Sequence, residues 1–583
     1  MSRYHRDDQA KSSPPSYSAF DPAAGSSRGP PPPYNLNTAA TTARNERTPL
    51  IIRQHTIIRQ TSRIIVSTSR VKLPGVGTLL KLVAIVFFAY VVWNLVTWWC
   101  LWPRNSTLHN YPPTYNIAII GAGPAGIAAA QYLLHSSASQ GIHFNITIFE
   151  SKSMIGGMLS LQDETGSPVY PNYDPMQSYI TAEDIVGTAL MWQNSLFTQD
   201  SEKILGDSVR FEELSTDKVG YYENKNVIAS AARPYAKSPW TTWVSLLWTY
   251  GSSLYRAAQF NIEANLRDRM PKAPVTVDTE EIFRSLKVLE PLQEWARNHL
   301  NKSGVSDKYA TEILEPQTRR ALGQGLGHVT GFGAMLAAWQ EDSANAYTGG
   351  HMLERLEQVV RKLRVSVRKS TCVVGLRNDW EGNQWSVQHE SANGGGHKTI
   401  EVFDKVILAA LDFSIRLVDG YGRLYNLTSF QNPSLTDGPG GPEDDFFVPV
   451  HVTFFTTNTK LTTWGDHDQV LFIDGTGDME EIAFVRETTS HMETQYLYRV
   501  LSGSSVLDYL KNNYGILWSY ETKISNWHPF RYPLEHMPVL QYPPARGLWW
   551  TSTIQQAWST VDLNWLAGKA VADDLIKEIL AGK

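Results

Sequence analysis

The sequence predicts an α/β fold. A parallel-sheet nucleotide-binding domain carries an inserted helical and mixed domain, behind a disordered tail and one transmembrane helix. Three observations predict it. A short apolar strand pattern at 116–120 runs into Gly121-Ala122-Gly123-Pro124-Ala125-Gly126 and then into a helical stretch with small residues at its start. Buried-strand patterns return far downstream, at 402–410 and 547–551, so one sheet must be assembled from distant pieces around a large insertion. Finally, twenty uncharged residues, Leu82–Leu101, follow a stretch rich in Pro, Ser, Thr and Arg.

The tail comes first along the chain. Residues 1–72 show no sustained apolar periodicity and read as disordered. Residues 1–81 hold 12 Lys/Arg against 4 Asp/Glu, a net +8, while the remaining residues hold 40 against 53, a net −13; the two sum to −5 for the chain. A basic tail before an acidic body is a membrane-topology signal rather than a nucleic-acid footprint, and no nucleic-acid partner is expected. Pro14-Pro15-Ser16-Tyr17 and Pro31-Pro32-Pro33-Tyr34 are PPxY patterns, which read either as WW-domain ligands or as low-complexity sequence. Glu46-Arg47-Thr48-Pro49-Leu50-Ile51 resembles an acidic dileucine signal read by vesicle sorting adaptors on the vacuolar or lysosomal route.

The uncharged run is long enough, at about 1.5 Å per residue, to cross a hydrocarbon core of about 30 Å. Trp98, Trp99 and Trp102 gather at its far end like an interfacial belt. Arg59, Arg63, Arg70, Lys72 and Lys81 precede it and only Arg104 follows closely, so the expected topology is single-pass, with a cytoplasmic N-terminus and a lumenal body. Four N-x-S/T patterns, at Asn105, Asn145, Asn301 and Asn426, all lie after the run and are candidate glycosylation sites. Only two cysteines are present, Cys100 and Cys372, so neither a disulfide framework nor a cysteine metal site is expected, and no metal at all.

The glycine loop carries the chemistry. Gly121 permits a tight strand-to-helix turn, Gly123 lets the backbone touch a pyrophosphate, and Gly126 lets the helix pack on the sheet. The helix start offers unpaired N–H groups and the positive end of its dipole to phosphates. Residues 144–150 form a second strand pattern ending in Glu150, at the distance where an acid accepts hydrogen bonds from the ribose hydroxyls. This is a Rossmann-like unit. The Gly156-Gly157-Met158 that follows is similar to the glutathione-reductase and amine-oxidase type of FAD domain, so FAD is the expected cofactor. Val373, in an apparent strand pair at 364–376, is a candidate backbone contact to the adenine. Val561, Asp562 and Leu563 open the terminal helix, whose start is expected either to face the flavin or to be an ordinary helix cap.

The stretch from about 116 to 580 resembles the prenylcysteine oxidase (prenylcysteine lyase) family. The resemblance rests on the aromatic segment WTTWVSLLWTYGSSLYR at 240–256, on TEILEPQTRRALGQGLGHVTGFGAMLAAWQ at 311–340, and on YTGGHML at 347–353, in the family's order. Met158 stands where the family has Arg, Leu322 where it has Tyr, and His351 where it has Asn; Tyr170-Pro171-Asn172-Tyr173-Asp174 departs from its flavin-side Tyr-Glu-x-Gly-Gly stretch. The resemblance implies oxidation of a prenylated thioether at the carbon beside sulfur. Water then gives a prenyl aldehyde and free cysteine, and O2 is reduced to hydrogen peroxide. His328 and His351 are read as loop residues that face the flavin or as structural hydrogen-bond partners. Trp240, Trp243, Trp248 and Tyr250 line a prenyl-sized pocket, pack a core helix, or meet a membrane surface.

These readings divide the chain into a cytoplasmic tail (1–72), a transmembrane signal-anchor helix (80–102), an FAD-binding βαβ unit (115–160), a helical substrate domain (161–345), the continued FAD-binding domain (346–415), the continued substrate domain (416–540) and a C-terminal FAD-binding strand and helix (541–583). Two other functions stay open: a related FAD oxidase acting on another lipophilic substrate, and a non-catalytic membrane adaptor with a WW-binding tail.

Overall fold

The computed structural model describes residues 76–101, 113–160 and 195–582, the last with gaps at 210–215, 225, 234, 260–265, 267, 343–348, 380–383, 393–396, 411–413, 419–421, 429–449, 475–477, 491–492, 525–532, 535–536 and 542–546. The PPxY patterns, the dileucine pattern, Asn105 and the 170–174 stretch lie outside the described residues. The chain divides into two compact units, Met1–Arg104 and Asn105–Lys583.

The first unit contributes one described helix, α1 (Val76–Leu101), with exposed apolar side chains such as Phe88 and Trp93. The expected span is not borne out: among the described residues no helix is long and apolar enough to cross a membrane.

The second unit is built on three sheets, with strands numbered in chain order. The first is parallel throughout: β1 (Thr114–Ile120) lies between β2 (His143–Phe149) and β9 (Lys405–Leu408), with β5 (Ser366–Arg368) beyond β2 and β17 (Leu548–Trp550) beyond β9. The second comprises β6 (Thr371–Asp379), β7 (Gln384–Ser391), β8 (Thr399–Phe403), β10 (Ser414–Val418) and β11 (Leu424–Thr428). The third joins β3 (Thr216–Glu223) and β4 (Asn226–Arg233) to β12 (Val450–Thr457), β13 (Gln469–Phe472), β14 (Met479–Ser490), β15 (Glu493–Ser502) and β16 (Ile516–Ile524). The helices that matter for the site are α2 (Pro124–Gln140), α3 (Leu196–Leu205), α4 (Trp240–Tyr250), α5 (Glu315–Leu322), α6 (Gly331–Asp342), α7 (Gly349–Leu363) and α8 (Val561–Ala581).

The period-2 alternation of strands sorts the core into layers. Ile117, Ile119, Ile146, Ile148, Ile407 and Trp549 point into the core shared with α2 and α8. Ala118, Ile120, Phe149, Val406, Leu408, Leu548 and Trp550 point the other way, onto Val373, Leu376, Trp385, Val387 and Phe403 of the second sheet. Residues buried on both faces make β1 and β9 read as continuous apolar runs, as interior parallel strands do. The small residues at the start of α2 let α8 come close: a Cβ on Gly568 would meet the Ala125 carbonyl oxygen at 2.2 Å and Ala128 Cβ at 2.8 Å.

Several expectations are corrected. The strand pattern at 364–376 is two strands, but they do not pair with each other: Arg368 ends β5 in the first sheet and Thr371 starts β6 in the second, with Ser370 at φ 50° between them. The stretch at 240–256 is two helices broken at Gly251, whose φ 56° and ψ −134° end the first. YTGGHML is no loop throughout, since α7 begins at Gly349 and His351 sits in its first turn.

Candidate functional site

The site grows from the junction of β1 and α2. Gly121 takes φ 108°, and a Cβ there would meet the Ala409 carbonyl oxygen at 2.7 Å, so neither conformation nor space admits another residue. A Cβ on Gly126 would lie 2.1 Å from the Gly121 carbonyl oxygen, which fixes how tightly α2 closes on the end of β1. The Gly121 N–H donates to the Phe149 carbonyl at 2.8 Å, and the Ala409 N–H donates to the Ile120 carbonyl at 2.7 Å, tying the loop to both neighbouring strands.

Glu150 is 5% exposed and stands at the end of β2. Its Oε2 accepts from the Ala122 N–H at 2.8 Å, and its Oε1 accepts from the Lys152 N–H at 2.9 Å. The Ser151 hydroxyl also donates to Oε1, at 3.4 Å; with two acceptor sites per carboxylate oxygen, Oε2 keeps capacity for a ribose hydroxyl while the loop holds the carboxylate in place. The Thr371 N–H donates to the Glu150 carbonyl, so β6 starts beside the acid. Val373, two residues on and buried against Phe149, lies on that strand as expected for a residue flanking the adenine.

The glycine pair closes the other side. The Gly156 N–H donates to the Ala122 carbonyl at 2.9 Å. Gly156 takes φ 112° and Gly157 φ 61°, and a Cβ on Gly157 would stand 3.4 Å from the Gly123 Cα. Two bare glycine faces therefore meet over the start of α2, where Pro124 gives up no needed N–H and Ala125 and Gly126 open the helix. Leu353 of α7 covers Gly156, its Cδ1 2.4 Å from where a Cβ would be. Backbone donors at a helix start, an acid with spare acceptor sites and a side-chain-free cradle between them fit a dinucleotide diphosphate and its ribose. Met158 lies in the tight turn 157–159; its side chain is outside the described residues.

The start of α8 is where the sequence places it. Thr560 caps the helix, accepting from the Leu563 N–H. Leu563 is core and Val561 half-buried. The Asp562 carboxyl is buried and turned to α3, accepting from the Phe197 N–H at 3.1 Å, with the Ser195 hydroxyl and the Leu196 N–H also on it. Burial pushes it up to about 6 against those hydrogen bonds. Asp562 thus caps a second helix, and its side chain serves packing; α3 returns the contact through Asp200, which accepts from Trp565 Nε1 and Lys569, both at 3.0 Å. The residue pattern of α8 alone carried no sign of this pairing, nor of the close approach at Gly568.

The remaining candidates fare differently. His328 is a solvent-exposed turn residue between α5 and α6, its N–H donating to the Gly325 carbonyl at 2.9 Å, and the side chain of His351 is outside the described residues. The tryptophans of α4, read as pocket wall, core packing or membrane contact, stand outward: Trp240 is 76% exposed, Trp243 38% and Trp248 91%. Tyr250 is buried, but as a packing anchor. Its hydroxyl donates to Glu312 at 2.9 Å and its ring meets Tyr309 edge-on, while burial and the Glu312 carboxylate push its titration up. Of the sequons, Asn301 is exposed near the end of a short helix, and Asn145 donates to Asn116 Oδ1 at 2.9 Å; the side chain of Asn426 is outside the described residues. Gln324, beside the C-terminus of α5, escaped the sequence reading: it is 5% exposed and both polar atoms of its amide lack a partner.

Two family profiles match the chain. The NAD(P)-binding Rossmann-like domain profile matches residues 119–174, and the prenylcysteine lyase profile matches residues 235–582, more than half of the chain. Prenylcysteine oxidase 1 of Bos taurus is 23% identical over 497 residues, covering 80% of this chain and 90% of that protein. Among solved structures, a triple mutant of putrescine oxidase redesigned in its cofactor binding gives a TM-score of 0.44 at 12% identity, covering 80% of this chain and 99% of that one. Wild-type putrescine oxidase bound to putrescine gives 0.41 at 13% identity, covering 80% and 100%. The chain belongs to the prenylcysteine lyase family and is an FAD-dependent oxidoreductase.

Proposed function

We propose that the protein is an oxidase that cleaves the thioether of prenylcysteine, consuming one O2 and one water and releasing a prenyl aldehyde, free cysteine and hydrogen peroxide. The observation that carries the reading is the joined cluster of Gly121–Gly126, Glu150 and Gly156–Gly157 within a chain of this family. Bound FAD supplies the two-electron oxidation of the carbon beside sulfur. Glu150 would hold the adenosine ribose, the first turn of α2 would hold the diphosphate, and the start of α8 would offer its dipole to the flavin. Sulfur itself stabilises the electron-poor carbon, so the reading assigns no strong base and leaves His328 and His351 without a proton-transfer role.

A second reading is an oxidase of the same fold acting on another lipophilic substrate, favoured by Met158 in the place of the family's Arg. Location is part of the same proposal: a membrane-associated protein whose tail is offered to WW-domain proteins and sorting adaptors on the vacuolar or lysosomal route. Its support is the basic tail and the exposed apolar side chains of α1.

The test is peroxide and aldehyde release from farnesylcysteine by the purified, FAD-loaded full-length chain. Stoichiometric farnesal, cysteine and peroxide are expected. A flavin-loaded protein inert toward farnesylcysteine but turning over another lipophilic thioether or amine would favour the second reading. A loaded protein inert toward all of them would sink both.

A further inference from the structure

We propose that the exposed face of α4 docks flat on an anionic lipid surface. Trp240, Val244, Leu247 and Trp248 recur at helical spacing and are 76%, 54%, 56% and 91% exposed, whereas Leu246 and Tyr250 on the opposite side are buried. Tyr255, 68% exposed on the next helix, extends the patch. A contiguous apolar face of this kind on a folded unit marks a contact surface. Its composition selects the partner. Trp and Tyr have a large apolar body with one polar edge and concentrate at the membrane–water boundary, and a helix with one such face lies in the plane of that boundary.

Charge narrows the choice further. Residues 224–262 contain no Asp or Glu but hold Lys225, Arg233, Lys237 and Arg256, in a body that is otherwise net acidic. Lys237 and Arg256 stand exposed at either end of the uncharged stretch 238–255. Cations flanking an aromatic face complement the phosphate headgroups of an anionic leaflet. A second copy of the chain would set these cations against their own kind.

The face is rigidly held, which suits docking by a preformed surface. Tyr250 is anchored to Glu312 and Tyr309, and Trp243 meets Tyr235 edge-on at 6.4 Å. The proposal does not depend on the substrate: it holds equally for a prenylcysteine oxidase and for an oxidase of another lipophile.

The experiment uses the full-length chain, with Cys100→Ser and Cys372→Ser, mixed with phosphatidylcholine–phosphatidylserine vesicles. A spin label is placed at Trp248→Cys and, as control, at Tyr509→Cys, an exposed aromatic beside Asp508. The ratio of oxygen to nickel-chelate collisions at 248 is expected to be several-fold higher than at 509, because oxygen partitions into lipid and the chelate does not. Equal ratios at the two positions would overturn the proposal. Protection of 248 from both reagents would overturn it in favour of a protein contact, and failure of the chain to float with the vesicles would overturn it as well. Loss of oxidase activity in these variants would bear on the catalytic reading alone.

Discussion

Glu150 shows what one side chain does in this site. Its two oxygens hold the Ala122 and Lys152 N–H groups, and Oε2 keeps an acceptor site for the ribose. Removing the carboxylate leaves two backbone donors without an acceptor in a buried place, at about 1–3 kcal/mol, besides the lost ribose bonds. Glu150→Ala is therefore expected to weaken FAD binding roughly ten- to hundredfold, read by fluorescence titration of the apoprotein. Unchanged affinity would remove Glu150 from the site. This residue and the glycines around it were legible in the sequence because their requirements are local: φ 108° at Gly121 and the space at Gly126 are set within a few residues of the turn. The aromatic residues of α4 were not. A tryptophan at helical spacing reads alike whether its face is buried, lines a pocket or meets solvent, and only the packing of Leu246 and Tyr250 decides which face is in.

At the scale of elements, the decisive contact is α2 against α8. Gly→Ala on an exposed helix stabilises by about 1 kcal/mol. At Gly568 the added methyl meets the Ala125 carbonyl oxygen at 2.2 Å, backbone that cannot turn aside, so the sign reverses. Gly568→Ala is expected to cost about 1–3 kcal/mol, seen as a lower urea midpoint at unchanged slope; a midpoint equal to or above that of the unmutated protein would mean the helices are not packed this closely. The strands of the first sheet were predictable from their apolar runs and the terminal helix from its length. Beyond the β1–β2 pair, their order was not, because the other parallel pairs join residues more than a hundred positions apart, such as Ile117 with Lys405. That is why 364–376 reads as a hairpin but divides between two sheets, and why Asp562 reads as the cap of its own helix but holds α3.

For the whole molecule, buried carboxyls set the response to pH. Glu480 of β14 is pushed up to about 7, chiefly by burial, with Glu481 and Glu315 raising it and Arg319 opposing; its Oε2 has no hydrogen-bond partner. A carboxyl raised in the folded state favours the fold while protonated. That contribution is complete below the unfolded value near 4.5 and is lost as pH rises through about 7. It amounts to something on the order of 3 kcal/mol. Asp562, pushed up to about 6, acts in the same direction. Stability is expected to fall between pH 4.5 and 7 from these groups, and Glu480→Gln should flatten part of that slope in urea unfolding at stepped pH. An identical slope in the variant would show that Glu480 does not titrate there.

The proposed activity joins the FAD site to oxidation of a prenylated thioether. The most direct measurement is the visible flavin spectrum of the FAD-loaded full-length protein during anaerobic titration with farnesylcysteine. Bleaching of the oxidised flavin band is expected at one equivalent of substrate, with its return, and one equivalent of peroxide, when oxygen is admitted. A protein that stays colourless after incubation with FAD, or a yellow one that farnesylcysteine does not bleach, would contradict it.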